Sequence, residues 1–161
     1  MKEHFEQYNM IHLSCKTALN KAGTLKTEGL LEQCDNYCYL KIDDDYIHLI
    51  YPILSAHYDV DKPDYFRLPE DVGAHISVIY PEENVTLNRE HIGQKHFFRV
   101  DGLIKAKFGL KEYFVLSVTS PTLAVFRQKY YLDPKPTFKG QQVVFHITVG
   151  VRTEPDNIII E

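Results

Sequence analysis

Two tripeptides 71 positions apart, His75-Ile76-Ser77 and His146-Ile147-Thr148, sit inside β-branched apolar runs, Ala74 to Tyr80 and Val143 to Val151. Runs of this kind favour strands, and the side chains of a strand alternate between its two faces. His75 therefore shares a face with Ser77, and His146 with Thr148, while Ile76, Val78, Ile147 and Val149 point the other way. Each strand presents one imidazole beside one hydroxyl. A fold that unites the strands gathers two proton-transfer groups and two hydrogen-bond donors, a set suited to phosphate-ester chemistry with no metal or cofactor required.

Chance must be weighed against this pattern. Eight His and fourteen Ser plus Thr in 161 residues give roughly 0.7 His-x-Ser/Thr matches at random. Three occur. The third, His12-Leu13-Ser14, falls in a stretch of helical period, where residues two apart do not face each other, and is set aside.

The length suits one domain spanning residues 1–161, and 44% hydrophobic with 25% charged residues is ordinary globular composition. No apolar run approaches the roughly 18 residues of a membrane helix, and Met1 leads into a charged amphipathic stretch, so a cytoplasmic, membrane-free monomer is expected. Cys15, Cys34 and Cys38 have no framework spacing, and Cys34-x3-Cys38 lacks the second ligand pair of a zinc site. The net charge of −4 is uneven: residues 1 to 80 carry −6 and residues 81 to 161 carry +2. Proteins that grip long duplexes carry a strong basic excess. A nucleotide, a short oligonucleotide or an RNA end is the expected partner.

A mixed α+β order emerges along the chain. Phe5, Tyr8, Ile11, His12, Cys15, Ala18, Leu19 and Ala22 recur at helical spacing, predicting an amphipathic N-terminal helix across residues 1–23 that Gly23 closes. Tyr37 to Ile42 and Tyr46 to Leu54 read as strands of a hairpin across Asp43-Asp44-Asp45. Ala56 to Gly73 reads as a long loop, as does Pro81 to Gln94 with one helical turn. Phe97 to Phe108 and Tyr113 to Thr119 read as strands, with Gly102 a candidate bulge. Ser120-Pro121 supplies an N-cap and first-turn proline for a helix to about Tyr131. Asp133 to Gln142 is a loop into the second motif strand, and Ile158-Ile159-Ile160 is a candidate edge strand.

A His-x-Ser strand, the Phe97 to Leu103 strand with its Phe-Phe-x-Val-x-Gly-Leu pattern, a strand ending in Ser120, the Pro121-Thr122-Leu123 helix and a His-x-Thr strand follow one another in order. Over about residues 72 to 152 this order resembles the two-histidine (2H) phosphoesterase superfamily, which includes RNA 2′,3′-cyclic phosphodiesterases and 2′,5′-RNA-ligase-like proteins. The resemblance implies a two-lobed, pseudo-twofold α+β domain, with antiparallel sheets lining a central groove and helices outside. It places the catalytic positions on His75 and His146 and the phosphate-binding hydroxyls on Ser77 and Thr148. The N-terminal helix and the Ala56 to Gly73 loop depart from the family pattern.

An imidazole titrates near neutrality, so a pair serves one displacement: one takes a proton from water and the other returns one to the departing ribose oxygen. Taking His146 as base and His75 as acid is one of two equal assignments. Substrate-binding candidates beyond the motifs are Tyr80, Arg67, Lys105, Lys107 and Arg152. Tyr80 reaches the His75 face only if a bulge or twist breaks the alternation. Tyr37, Tyr39, Tyr65 and Tyr113 are alternative stacking rings, because base stacking on an aromatic side chain tolerates any base. Two other readings stand beside the enzyme: a non-catalytic module that binds RNA ends or nucleotides in the same groove, and a metal site built from His57, His91, His96 and neighbouring acids, with the motif histidines as ligands.

Overall fold

The computed structural model describes residues 10–64 and 71–153. Its chain order is β1 (Met10–Leu13), α1 (Lys16–Ala22), β2 (Glu28–Cys34), β3 (Tyr37–Lys41), α2 (Asp45–His48), α3 (Tyr51–His57), β4 (His75–Ile79), β5 (Lys95–Phe97), β6 (Arg99–Phe108), β7 (Lys111–Thr119), α4 (Pro121–Lys129), β8 (Thr137–Phe138), β9 (Gln141–Gln142) and β10 (His146–Thr153). Eight strands form one antiparallel sheet in the order β1-β6-β7-β10-β4-β3-β2-β5. It divides into two matching halves. In each, a hairpin (β2-β3 or β6-β7) is followed by helix and then by a motif strand, β4 or β10, that pairs with the second hairpin strand; β5 and β1 close the outer edges. The halves meet where Ile147 of β10 pairs with Ile76 of β4. This is the α+β, two-lobed architecture expected, with the lobes fused into one continuous sheet.

Alternation divides the chemistry. Ile76, Ile147 and Val149 are fully buried on one face, in a core shared with Ala18, Tyr46, Ile47, Leu54, Leu123 and Phe126 from the helices. The opposite face of the same strands is left for the polar residues. Two irregularities break this parity. Cys38 pairs with Ile79 but Tyr39 with Ser77, making Val78 an extra residue in β4. On β10 the register shifts between Thr148 and Gly150. There a Cβ on Gly150 would stand 2.5 Å from Val60 Cγ2, so the chain crosses closely where Asp61 bridges Val151.

Several expectations are corrected. In the described part of the N-terminal stretch the helix covers Lys16–Ala22, and Met10–Leu13 pairs instead as a strand along the ten-residue β6, whose backbone groups need partners. Residues 1–9 lie outside the described part, as do Tyr65, Arg67 and Ile158 to Ile160. Tyr46 to Leu54 is helical rather than a strand: Asp43 Oδ1 accepts from the Asp45 N–H, Pro52 sits in the first turn of α3, and the buried Tyr46, Ile50 and Leu54 recur every four residues. Glu28–Cys34 is a strand left unassigned in the sequence, joined to β3 through Asp35, whose φ of 54° fits a tight turn. By contrast, Gly102 does mark a register shift, and Ser120 Oγ does accept from Leu123 N–H at the head of α4. Among the described residues no helix is long and apolar enough to cross a membrane.

Candidate active site

The central pair Ile76–Ile147 sets the geometry of the polar face. One residue further each way, the antiparallel register places His75 across from Thr148 and Ser77 across from His146. The imidazoles are then diagonal neighbours, the residues roughly 7–8 Å apart in regular geometry with their Cβ atoms somewhat closer, and the hydroxyls occupy the other diagonal. All four residues line one cavity of about 650 Å³, within the usual range for a small-molecule site.

The two histidines are held alike. His75 Nδ1 lies 2.7 Å from the carbonyl of Gly73, and His146 Nδ1 lies 2.7 Å from the carbonyl of Val144, each two residues upstream. A carbonyl only accepts, so Nδ1 carries the proton in both rings and Nε2 becomes the atom that gains or loses one. Their surroundings differ. His75 is buried, edge-on to Tyr39 at 5.5 Å and to Tyr37 at 6.1 Å. Burial pushes its pKa down to about 4, helped by the charges of His146 and Lys41 and opposed by the Gly73 hydrogen bond. His146 is half-buried at the cavity wall, and desolvation lowers its pKa too, against the Val144 hydrogen bond.

The bulge at Val78 meets the condition set for Tyr80. It restores Tyr80 to the face of Ser77, where it lines the cavity 6.2 Å from the Tyr37 ring. Tyr80 also packs on Phe138 at 4.9 Å, and Phe138 on Phe108 at 5.6 Å. With Tyr113, these rings make one side of the cavity aromatic. Phe138 was not singled out in the sequence. Its signal is Lys139-Gly140, two successive positive-φ residues that turn β8 into β9.

Lys105 and Arg152 stand elsewhere. Ile104 and Ala106 face the cavity, so Lys105 between them faces away. Arg152 would share the face of Thr148 in a regular strand, but the bulge before Gly150 turns Val151 to the cavity and Arg152 to the back. There Arg152 and Lys105 both pair with Glu112, whose carboxyl they hold below the usual range against the opposing pull of its own burial. Lys107, a candidate from the sequence, lines the cavity, as do Lys111 and Lys135.

His57 is exposed on α3, His91 Nδ1 lies 2.7 Å from the Tyr130 hydroxyl, and His96 Nδ1 lies 2.8 Å from Thr122 Oγ1. None of these three lines the cavity. Among the described residues no three His, Cys, Asp or Glu side chains converge as a metal-ligand set. His12, on the edge strand β1 rather than a helix, is exposed and is not part of the cavity wall either.

A family model described as "Swiss Army Knife, 2H phosphoesterase domain" matches residues 38–156, from within β3 to beyond the end of β10. No curated protein matches the chain. No solved structure matches it.

Proposed function

The chain belongs to the 2H phosphoesterase family, and from that premise we propose a metal-independent phosphodiesterase that acts on a nucleotide or RNA-end phosphodiester such as a 2′,3′-cyclic phosphate or a 2′,5′ linkage. Phosphoesterase-type chemistry follows from membership; the linkage and the mechanism are our reading. One observation carries it. Two histidines from different halves share a cavity, and each has its Nδ1 proton committed to a carbonyl two residues back, so both offer Nε2 for proton transfer.

In this mechanism a neutral imidazole removes a proton from water as it attacks phosphorus, and a charged imidazole gives its Nε2 proton to the departing ribose oxygen. Burial favours the neutral form of both rings, so either one serves as the base with the other as the acid, and the two assignments stay equal. The two titrate as a coupled pair, so the roles belong to the pair's singly protonated state. Ser77 and Thr148 donate to the non-bridging oxygens, where preorganised donors offset developing charge. The aromatic side of the cavity suits a base, since stacking contributes about 1–3 kcal/mol per base.

The test is a panel of nucleoside 2′,3′-cyclic phosphates, 2′,5′-linked oligoadenylate, ADP-ribose cyclic phosphate and 3′-tailed RNA, with product masses read in EDTA. Cleavage of at least one member, undiminished by the chelator, is expected. Binding without cleavage across the panel supports the non-catalytic module, and activity lost to EDTA and restored by zinc or manganese overturns the metal-free mechanism.

A further inference from the structure

Ser77 meets a phenol. Its Oγ lies 2.5 Å from the Tyr37 hydroxyl, and Tyr80 lines the cavity on the same face. Tyr37 is fixed in turn: it stacks on Tyr39 with ring centroids 5.3 Å apart and stands edge-on to His75. The extra residue Val78 brings Tyr80 to this side too, since without it Tyr80 would face the core. Stacking with Tyr39 and the short contact to Ser77 place Tyr37 to serve the hydroxyl through its oxygen rather than through its ring alone.

A serine hydroxyl has one proton and two lone pairs. Given to Tyr37, that proton is lost to any phosphoryl oxygen. A phenol, with a pKa near 10, is a far stronger acid than an alkyl alcohol and is the natural donor of the pair. Burial pushes the Tyr80 pKa up to about 12, so it too keeps its proton.

Resting on the phosphodiesterase reading, we propose that Tyr37 is a positioning residue: its phenol donates to Ser77 Oγ and so directs the serine's own proton into the cavity, toward a non-bridging oxygen of the phosphodiester. Accepting from a phenol also polarises the Ser77 hydroxyl and strengthens it as a donor, because linked hydrogen bonds reinforce one another. The Tyr37 side chain, read from sequence as a stacking surface, thereby acts through its hydroxyl on the phosphate half of the substrate.

The test is a double-mutant cycle of Tyr37→Phe, which keeps the ring and its stacking, with Ser77→Ala. On the best substrate of the panel, Tyr37→Phe is expected to lower kcat/KM about 3- to 10-fold, the scale of one net hydrogen bond. Ser77→Ala is expected to lower it about 10²- to 10³-fold, and the double variant no further. A purely structural role for the hydroxyl would give losses that multiply, which overturns the proposal. So does a Tyr37→Phe variant with unchanged or raised kcat/KM, the sign of a serine that had been donating to the tyrosine. Calorimetric titration with inorganic phosphate separates this from the activity itself. If the parent cleaves nothing, the phosphodiesterase reading falls, and the cycle is read on phosphate affinity. A 3- to 10-fold weakening by Tyr37→Phe that vanishes in the Ser77→Ala background then supports the proposal. Equal affinities, or a parent that binds no phosphate, overturn it.

Discussion

Each imidazole of the pair has its Nδ1 proton anchored to a backbone carbonyl, and each is shifted toward the neutral form by burial, His75 to about 4 and His146 in the same direction. The proposed mechanism needs one neutral and one charged ring, a state that is most populated between the two macroscopic pKa values of the pair. With both shifted down from 6.5, kcat/KM for the free enzyme should peak below about pH 6.5 and decline toward pH 8, because raising the pH strips the acid of its proton. A pH–rate profile checks this, and one that is flat from pH 5 to 9 contradicts it. At this scale the motif residues were legible, since period-2 alternation is local: His75 with Ser77 and His146 with Thr148 needed no tertiary information. Arg152 was misplaced for the same reason in reverse. A bulge changes parity, and nothing in the residues Thr148-Val149-Gly150 beyond the glycine announces it.

The β8–β9 hairpin, which brings Phe138 to the cavity, is held by two adjacent acids. Both Glu82 carboxylate oxygens accept from its tip, at Lys139 N (2.6 Å) and Gly140 N (3.0 Å). Glu83 accepts from the Tyr80 N–H and pairs with Arg127, itself only 1% exposed. Arg127 donates in addition to the carbonyls of Val78, Asp133 and Lys135, tying β4 and the segment leading to the hairpin to α4. Arg127→Met would leave Glu83 buried without its cation and strand three carbonyls. A loss of about 3–5 kcal/mol in urea denaturation is expected; a loss below about 1 kcal/mol would show that the network does not carry the local structure. The cap and proline of α4 were readable because they are signals within four residues. Tyr46 to Leu54 was not, because its Tyr, Ile and Leu content suits strands, and its helical register emerges only through burial of Tyr46, Ile50 and Leu54 against the sheet. The strand at Met10–Leu13 likewise depends on an open edge of β6, a partner some ninety residues away in sequence.

Over the whole molecule, two four-stranded halves meet where Ile76 and Ile147 pair, fully buried on one face, and the catalytic candidates occupy the other. The core thereby fixes the separation of the two imidazoles, each half delivering one. The α+β class was legible from the order of elements, but the fusion into one sheet was not, since it depends on a junction between strands 71 residues apart. The central claim is that these two rings act on a single phosphorus as one unit. It is tested most directly by kcat/KM for His75→Ala, His146→Ala and the double variant on the best cleaved phosphodiester. Each single change should cost at least about 10²-fold with the fold retained, and the double variant little more than either single, because groups that act as a unit are not additive. A near-parental rate in either single variant would contradict the account.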